Sequence, residues 1–129
     1  MVIKTSLEGT IANAWEAAKA EGKAALADCA RTKTLISYGD LMQRISSISF
    51  QTPHDRRLPQ FLAEISTEEA QAGRGMMTAM VVSMDREGRP GRGFFKLAKR
   101  LGYDVSDPEK FWREEVNRVF ASWENRSKP

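Results

Sequence analysis

The sequence predicts an α+β protein, mostly helical, in which long N- and C-terminal helices frame a winged helix-turn-helix-like core. Three observations carry this. Apolar residues recur at helical spacing over long stretches near both ends of the chain. Between them, shorter helical patterns are interrupted by only two β-prone runs, "TLIS" and "MMTAMVVSM". The second run leads straight into a glycine-rich basic turn, the order expected of a helix-turn-helix followed by a wing. At 129 residues, 41% hydrophobic and 29% charged, the chain reads as one domain, residues 1–129, able to bury a modest core without a metal or disulfide.

The first helix is expected over about residues 10–32. Ile11, Trp15, Ala18, Gly22, Leu26 and Cys29 recur on one face, and alanine is abundant. "TLIS" reads as a short strand. "SYGD" then offers a capping box, with Ser37 as N-cap and Asp40 three residues on, for a helix placing Leu41, Met42, Ile45 and Ile48 on one side. Asp55 is expected to cap the next helix, with Pro59 in its first turn, where a missing N–H costs little. Leu58, Phe61, Leu62 and Ile65 form its inward stripe, and "AGRG" ends it.

"MMTAMVVSM" is apolar on both alternating faces, as a buried strand would be. "DREGRPGRG" is a turn by composition. "FFKLAKRLG" is helical, with Phe94, Leu97, Ala98 and Leu101 inward, Lys96, Lys99 and Arg100 outward, and Gly102 just past the C-cap. "SDPE" repeats the capping-box logic with Ser106 and Glu109. The last helix buries Phe111 or Trp112, Val116, Val119, Phe120 and Trp123, and the tail 125–129 is expected to fray. Trp15 and Trp123, from opposite chain ends, are placed to pack the terminal helices together.

Several chemistries are disfavoured at once. Cys29 is the only cysteine, which excludes an internal disulfide and a cysteine-built zinc site and fits a reducing compartment. The first fifteen residues have neither signal-peptide architecture nor a transmembrane span, so a cytoplasmic location without a membrane partner is expected. "GRPGRG" lacks the Gly-Lys-Ser/Thr of a Walker loop, and no ribose-binding acid follows a βαβ unit. His54, the single histidine, has no Ser or Cys at triad spacing. Asp85 and Glu87 stand two apart after a strand, as in some nuclease metal pairs, but no Glu-x-Lys follows on a strand. No cofactor, metal or catalytic residue is assigned. Met76, Met77, Met80 and Met84 suit either a core or an adaptable binding surface.

The concentrated signal is the stretch 83–100, "SMDREGRPGRGFFKLAKR". Arg86, Arg89, Arg92, Lys96, Lys99 and Arg100 stand against only Asp85 and Glu87, a local excess of +4 in a chain of net +3. Backbone N–H groups of a glycine-rich turn at a helix start suit phosphate oxygens, and flanking arginines would contact phosphates or enter a minor groove. Arg89 and Arg92 flank Pro90 and Gly91 and are expected to project from the turn tip, packed against nothing. Arg56 and Arg57 open a helix against its dipole preference, which points either to a negative partner or to pairing with Asp55 or Glu64. Tyr38 reads as a phosphate contact or as a ring packed over Met42. The candidate nucleic-acid-binding set is therefore Tyr38, Arg56, Arg57, Arg86, Arg89, Arg92, Lys96 and Lys99, with duplex DNA as the expected partner. The alternative is a protein-interaction module, such as an immunity, antitoxin or accessory subunit, whose basic loop meets an acidic protein.

"LISYGDLMQRI" resembles the entry to the DNA-binding half of alkylguanine-DNA alkyltransferases and alkyltransferase-like proteins. "DRRLPQFLAEI" stands in the place of their recognition helix, and "MTAMVVSMDREGRPGRG" is similar to their strand and glycine-bearing wing. The resemblance covers about residues 35–101. It implies a winged-helix fold, a phosphate-handling role for Tyr38, and a duplex-entering role for Arg56 or Arg57. The family's Pro-Cys-His-Arg motif has no counterpart, since no cysteine or histidine lies in 78–84. Alkyl transfer is accordingly not expected. The Pro-Gly-x-Gly-Phe-Phe run also resembles a signature of a bacterial family, which implies no function.

Overall fold

A computed structural model describes residues 2–124, with side chains from Ala12 onward; Ile11 and the tail 125–129 lie outside the described side chains. The architecture is α+β and mostly helical, with one small two-stranded sheet among the described residues. Helix α1 spans Val2–Arg31, starting well before the apolar periodicity does. Gly22, which weakens the helix intrinsically, lets a neighbour come close: a Cβ there would stand 3.3 Å from Ile65 Cδ1.

Strand β1 (Ile36–Ser37) pairs in parallel with β2 (Val81–Val82), Ile36 facing Val81. A parallel pair needs a crossover. Here it carries α2 (Tyr38–Gln43) and α3 (Leu58–Gln71). Ser37 caps α2, its Oγ accepting from the Asp40 N–H at 3.1 Å. The helix stops at Gln43, so Ile45 and Ile48 pack from the loop beyond it. Glu21 on α1 pins that loop by accepting from the N–H and hydroxyl of both Ser46 and Ser47. Those bonds hold its pKa below the usual carboxylate range.

Several further expectations need correction. Asp55 does not cap α3. The N-cap is Arg57, and Asp55 instead accepts from the backbone N–H groups of Gln51 and Arg57, because an Asp side chain readily closes a turn onto the residue two positions on. "MMTAMVVSM" is not one strand. Met77–Met80 winds a 3₁₀ turn against α1, α3 and the last helix, and only Val81–Val82 is strand. Residues 76–82 are buried throughout, and continuous burial erases the alternation that would separate the two conformations. Helix α4 (Arg92–Arg100) buries Phe94, Leu97 and Ala98, but Leu101 is its C-cap and partly exposed. Helix α5 (Pro108–Glu124) is capped by Asp107 rather than Ser106: Asp107 Oδ1 accepts from the Lys110 N–H at 3.2 Å. Proline at the first helical position sets that start.

Two hydrophobic clusters form the interior. One gathers Leu26, Leu41, Phe61, Ile65 and Met80; the other gathers Met76, Phe94, Leu97, Phe111 and Val116, and Phe120 packs against both. The terminal helices α1 and α5 do pack together, although not through paired tryptophans. Trp15 turns to α3, edge-on to Phe61 and donating to Glu64 Oε1 at 2.9 Å. Trp123 lies beneath Arg31, whose guanidinium is 5.2 Å from its ring. Arg31 is about 24 Å along α1 from Trp15 at the helical rise. Among the described residues no helix is long and apolar enough to cross a membrane.

Candidate functional site

An open groove of ≈ 1230 Å³ lies between α3 and α4 and reaches Tyr38 and the loop 83–91. Its apolar lining comes from Leu58 and Leu62 on α3 and from Phe94 and Leu97 on α4. Polar groups join it from Gln60, Thr67, Thr78 and Ser83, and positive charge from Arg86, Lys96 and Arg100.

The loop is held as a tight hairpin. Ser83 N–H donates to the Arg89 carbonyl at 2.8 Å, Gly88 N–H to Ser83 at 3.0 Å, and Arg89 N–H to Arg86 at 3.2 Å. The central residues Glu87 and Gly88 have φ of 57° and 77°, the pattern of a type I′ turn. Arg86 Nε reaches back to the Pro90 carbonyl at 3.0 Å. The hairpin is then tied to the start of α2, because Tyr38 Oη accepts the Gly91 N–H at 2.9 Å. Gly91 leaves the room this contact uses: a Cβ there would stand 2.9 Å from the same oxygen, and the tyrosine would have to shift. Burial pushes the Tyr38 hydroxyl above its usual pKa, against the lowering effect of the Gly91 N–H and the Arg86 charge.

The predicted cations divide into two kinds. Arg57 is tied down. Its Nε and one terminal nitrogen contact Asp55 at 3.1 and 2.8 Å, and it also reaches the Ser49 carbonyl. These hydrogen bonds hold the Asp55 carboxyl well below its usual range. Arg86 clasps the hairpin. Arg89 does not project freely, as its position beside Pro90 implied: its guanidinium lies 3.6 Å from Glu109 in the first turn of α5. Sequence adjacency could not show that α5 begins beside the hairpin.

Arg56, Arg92, Lys96 and Lys99 remain exposed, and among the described residues none has an ion pair or side-chain hydrogen bond. Arg100 belongs with them and was missing from the sequence-derived set. Its signal was its place four residues after Lys96, which puts both on one helical face. Within α4, Arg92, Lys96, Lys99 and Arg100 fall inside an arc of about 100° at 3.6 residues per turn. The other described lysines and arginines reach a carboxylate or, for Arg86, a carbonyl. The structure thus brings together Tyr38, Arg86, Lys96 and Arg100 around the groove, with Arg92 and Lys99 beside them on α4. Arg56 stands just ahead of α3, between the groove-lining His54 and Leu58. Asp85, Glu64 and Glu68 also line the groove and balance its three cations, so the excess positive charge lies on the outer face of α4 rather than in the groove itself. Among the described residues no group of three or more His, Cys, Asp or Glu side chains is placed to hold a metal ion.

Comparison with known proteins returns no matching family model, no matching curated protein and no matching solved structure.

Proposed function

We propose that this chain is a small non-enzymatic duplex-DNA-binding protein, with α2 and α3 as a helix-turn-helix-like unit and the hairpin 83–91 as a wing. One observation carries the reading: four cations without an ion pair or side-chain hydrogen bond among the described residues share one face of the nine-residue helix α4. Like charges three and four residues apart repel by a few tenths of a kcal/mol per pair. Lys99 and Arg100 in the last turn complement the helix dipole, but Arg92 in the first turn opposes it, and a run of phosphates would relieve the mutual repulsion of the whole row. In this reading α4 rides the backbone, Arg56 and Gln60 at the start of α3 approach the bases, and the Tyr38 hydroxyl keeps its own proton for a phosphate oxygen. A cytoplasmic location fits the single, buried Cys29.

The test is titration of random duplex DNA at several salt concentrations. With about four phosphates neutralised, log K should fall against log salt with a slope of about −3 to −4. Lys96→Ala with Arg100→Ala should weaken binding alike for all sequences and make the slope shallower by about two. Absence of binding at low salt overturns the reading. Loss of a co-purifying acidic protein in the same double variant would then favour the protein-interaction alternative.

A further inference from the structure

Three of the four methionines in 76–84 are core residues: Met76, Met77 and Met80 are 0–1% exposed. Met84 is the exception at 77% exposed, the most exposed of the large hydrophobic side chains among the described residues. Its position differs from that of a stray surface apolar residue in two ways. It sits in the chain between Ser83 and Asp85, which line the groove together with Lys96 and Arg100, while its own side chain lies outside that lining. It also stands on a rigid support. The 3₁₀ turn Met84–Arg86 is closed by the Ser83–Arg89 and Gly88–Ser83 backbone bonds and by the Arg86–Pro90 clasp. Successive side chains on such a turn point about 120° apart, so Asp85 diverges from Met84 and leaves its thioether chain clear.

We propose that Met84 is a wedge that enters between stacked base pairs of the bound duplex and kinks it. This rests on the DNA-binding reading above. Apolar side chains, methionine among them, serve this purpose in minor-groove proteins, where partial unstacking is offset by the extra protein surface that a bent duplex touches. The flexible, polarisable chain suits insertion between bases of different sequence. Rigid backbone with a pliant tip provides both halves: the hairpin fixes where the wedge enters, and the side chain adapts to the step it finds.

The experiment uses the full chain and a duplex carrying 2-aminopurine at successive positions, with a fluorophore pair at its ends. Affinity, 2-aminopurine emission and end-to-end transfer are read for wild type, Met84→Ala and Met84→Leu. Wild type should raise 2-aminopurine emission and shorten the end-to-end distance. Met84→Ala should lose both signals while binding within about tenfold of wild type, since the phosphate contacts remain. Met84→Leu should keep them. Wild-type binding without either signal overturns the wedge and leaves the DNA reading standing. So does an Ala variant with undiminished signals. If wild type binds no duplex at any salt concentration, the DNA reading fails and the wedge falls with it. Because Met84 touches no core, all three proteins should melt at similar temperatures.

Discussion

Gly91 and Tyr38 act as a matched pair. The glycine supplies an N–H and, by lacking a Cβ, the space for the hydroxyl that accepts it. Gly91→Ala forces atoms together at 2.9 Å. It should destabilise the protein by about 1–3 kcal/mol, the usual range for overpacking. Tyr38→Phe removes the acceptor without steric strain and should cost about 1 kcal/mol. Denaturant midpoints of the two variants check both the order and the sizes. Glu87 presents the opposite case, a residue ill suited to its place: a glutamate held at φ 57°. Asparagine tolerates the left-handed region, so Glu87→Asn should raise stability by about 0.5–1 kcal/mol in the same assay. It also removes a negative charge beside the wing and should tighten DNA binding modestly.

At the scale of elements, α1 and α3 are joined by charge as well as by apolar contact. Lys19, only 4% exposed, reaches Glu64 at 3.2 Å and Glu68 at 2.7 Å across the helix interface, and Glu16 on its own helix. Burial alone would lower its pKa, yet hydrogen bonds to Glu68, Glu16 and Glu64 raise it beyond the ordinary lysine range. Lys19→Ala strands these acids near one another. It should cost about 2–3 kcal/mol by thermal or chemical melts, less than for a fully enclosed pair because Glu68 is 43% exposed. Lys19→Met keeps the aliphatic packing and should fall between Ala and wild type. The cations of α4 should behave differently: Arg92→Ala with Lys99→Ala should leave the melting temperature nearly unchanged, because neither side chain has a partner to lose.

Over the whole molecule these ion pairs set the pH range of stability. The carboxyls of Glu68, Glu69 and Asp55 are held below their usual values, chiefly by hydrogen bonds from Lys19, Arg74 and Arg57 respectively. Burial would raise Glu64, but bonds from Trp15, Gln60 and Lys19 carry it down as well. A depressed carboxylate contributes fully above its unfolded value, here 4.5 for glutamate, and its contribution disappears as pH falls through the lower folded value. Lys19 works from the other side. Its contribution is complete below the unfolded 10.5 and lost only as pH rises through its raised folded value. Stability by denaturant titration should therefore be nearly flat between about pH 6 and 9 and decline in acid below about 4.5. In Lys19→Met the acid decline should be shallower, since part of the linkage has gone.

The sequence by itself determined the helices and the location of excess charge. Phe61, Leu62 and Ile65, or Phe94, Leu97 and Ala98, each report burial through contacts repeating every turn, and Ser37 caps with a bond only three residues long. Such signals are local, so they survive without knowledge of the fold. Tertiary structure decided the conformation of Met77–Met80, enclosed by three helices, and it decided which cations are free. Asp55 stands close enough in sequence to Arg57 for their pairing to be weighed there. Glu109, by contrast, reaches Arg89 only because α5 starts beside the hairpin, and Tyr38 meets Gly91 across 53 residues. A charge run in sequence counts positive groups. Whether each group is already neutralised depends on carboxylates brought in from distant elements, and Coulomb attraction acts over a few ångströms of space, whatever the separation along the chain.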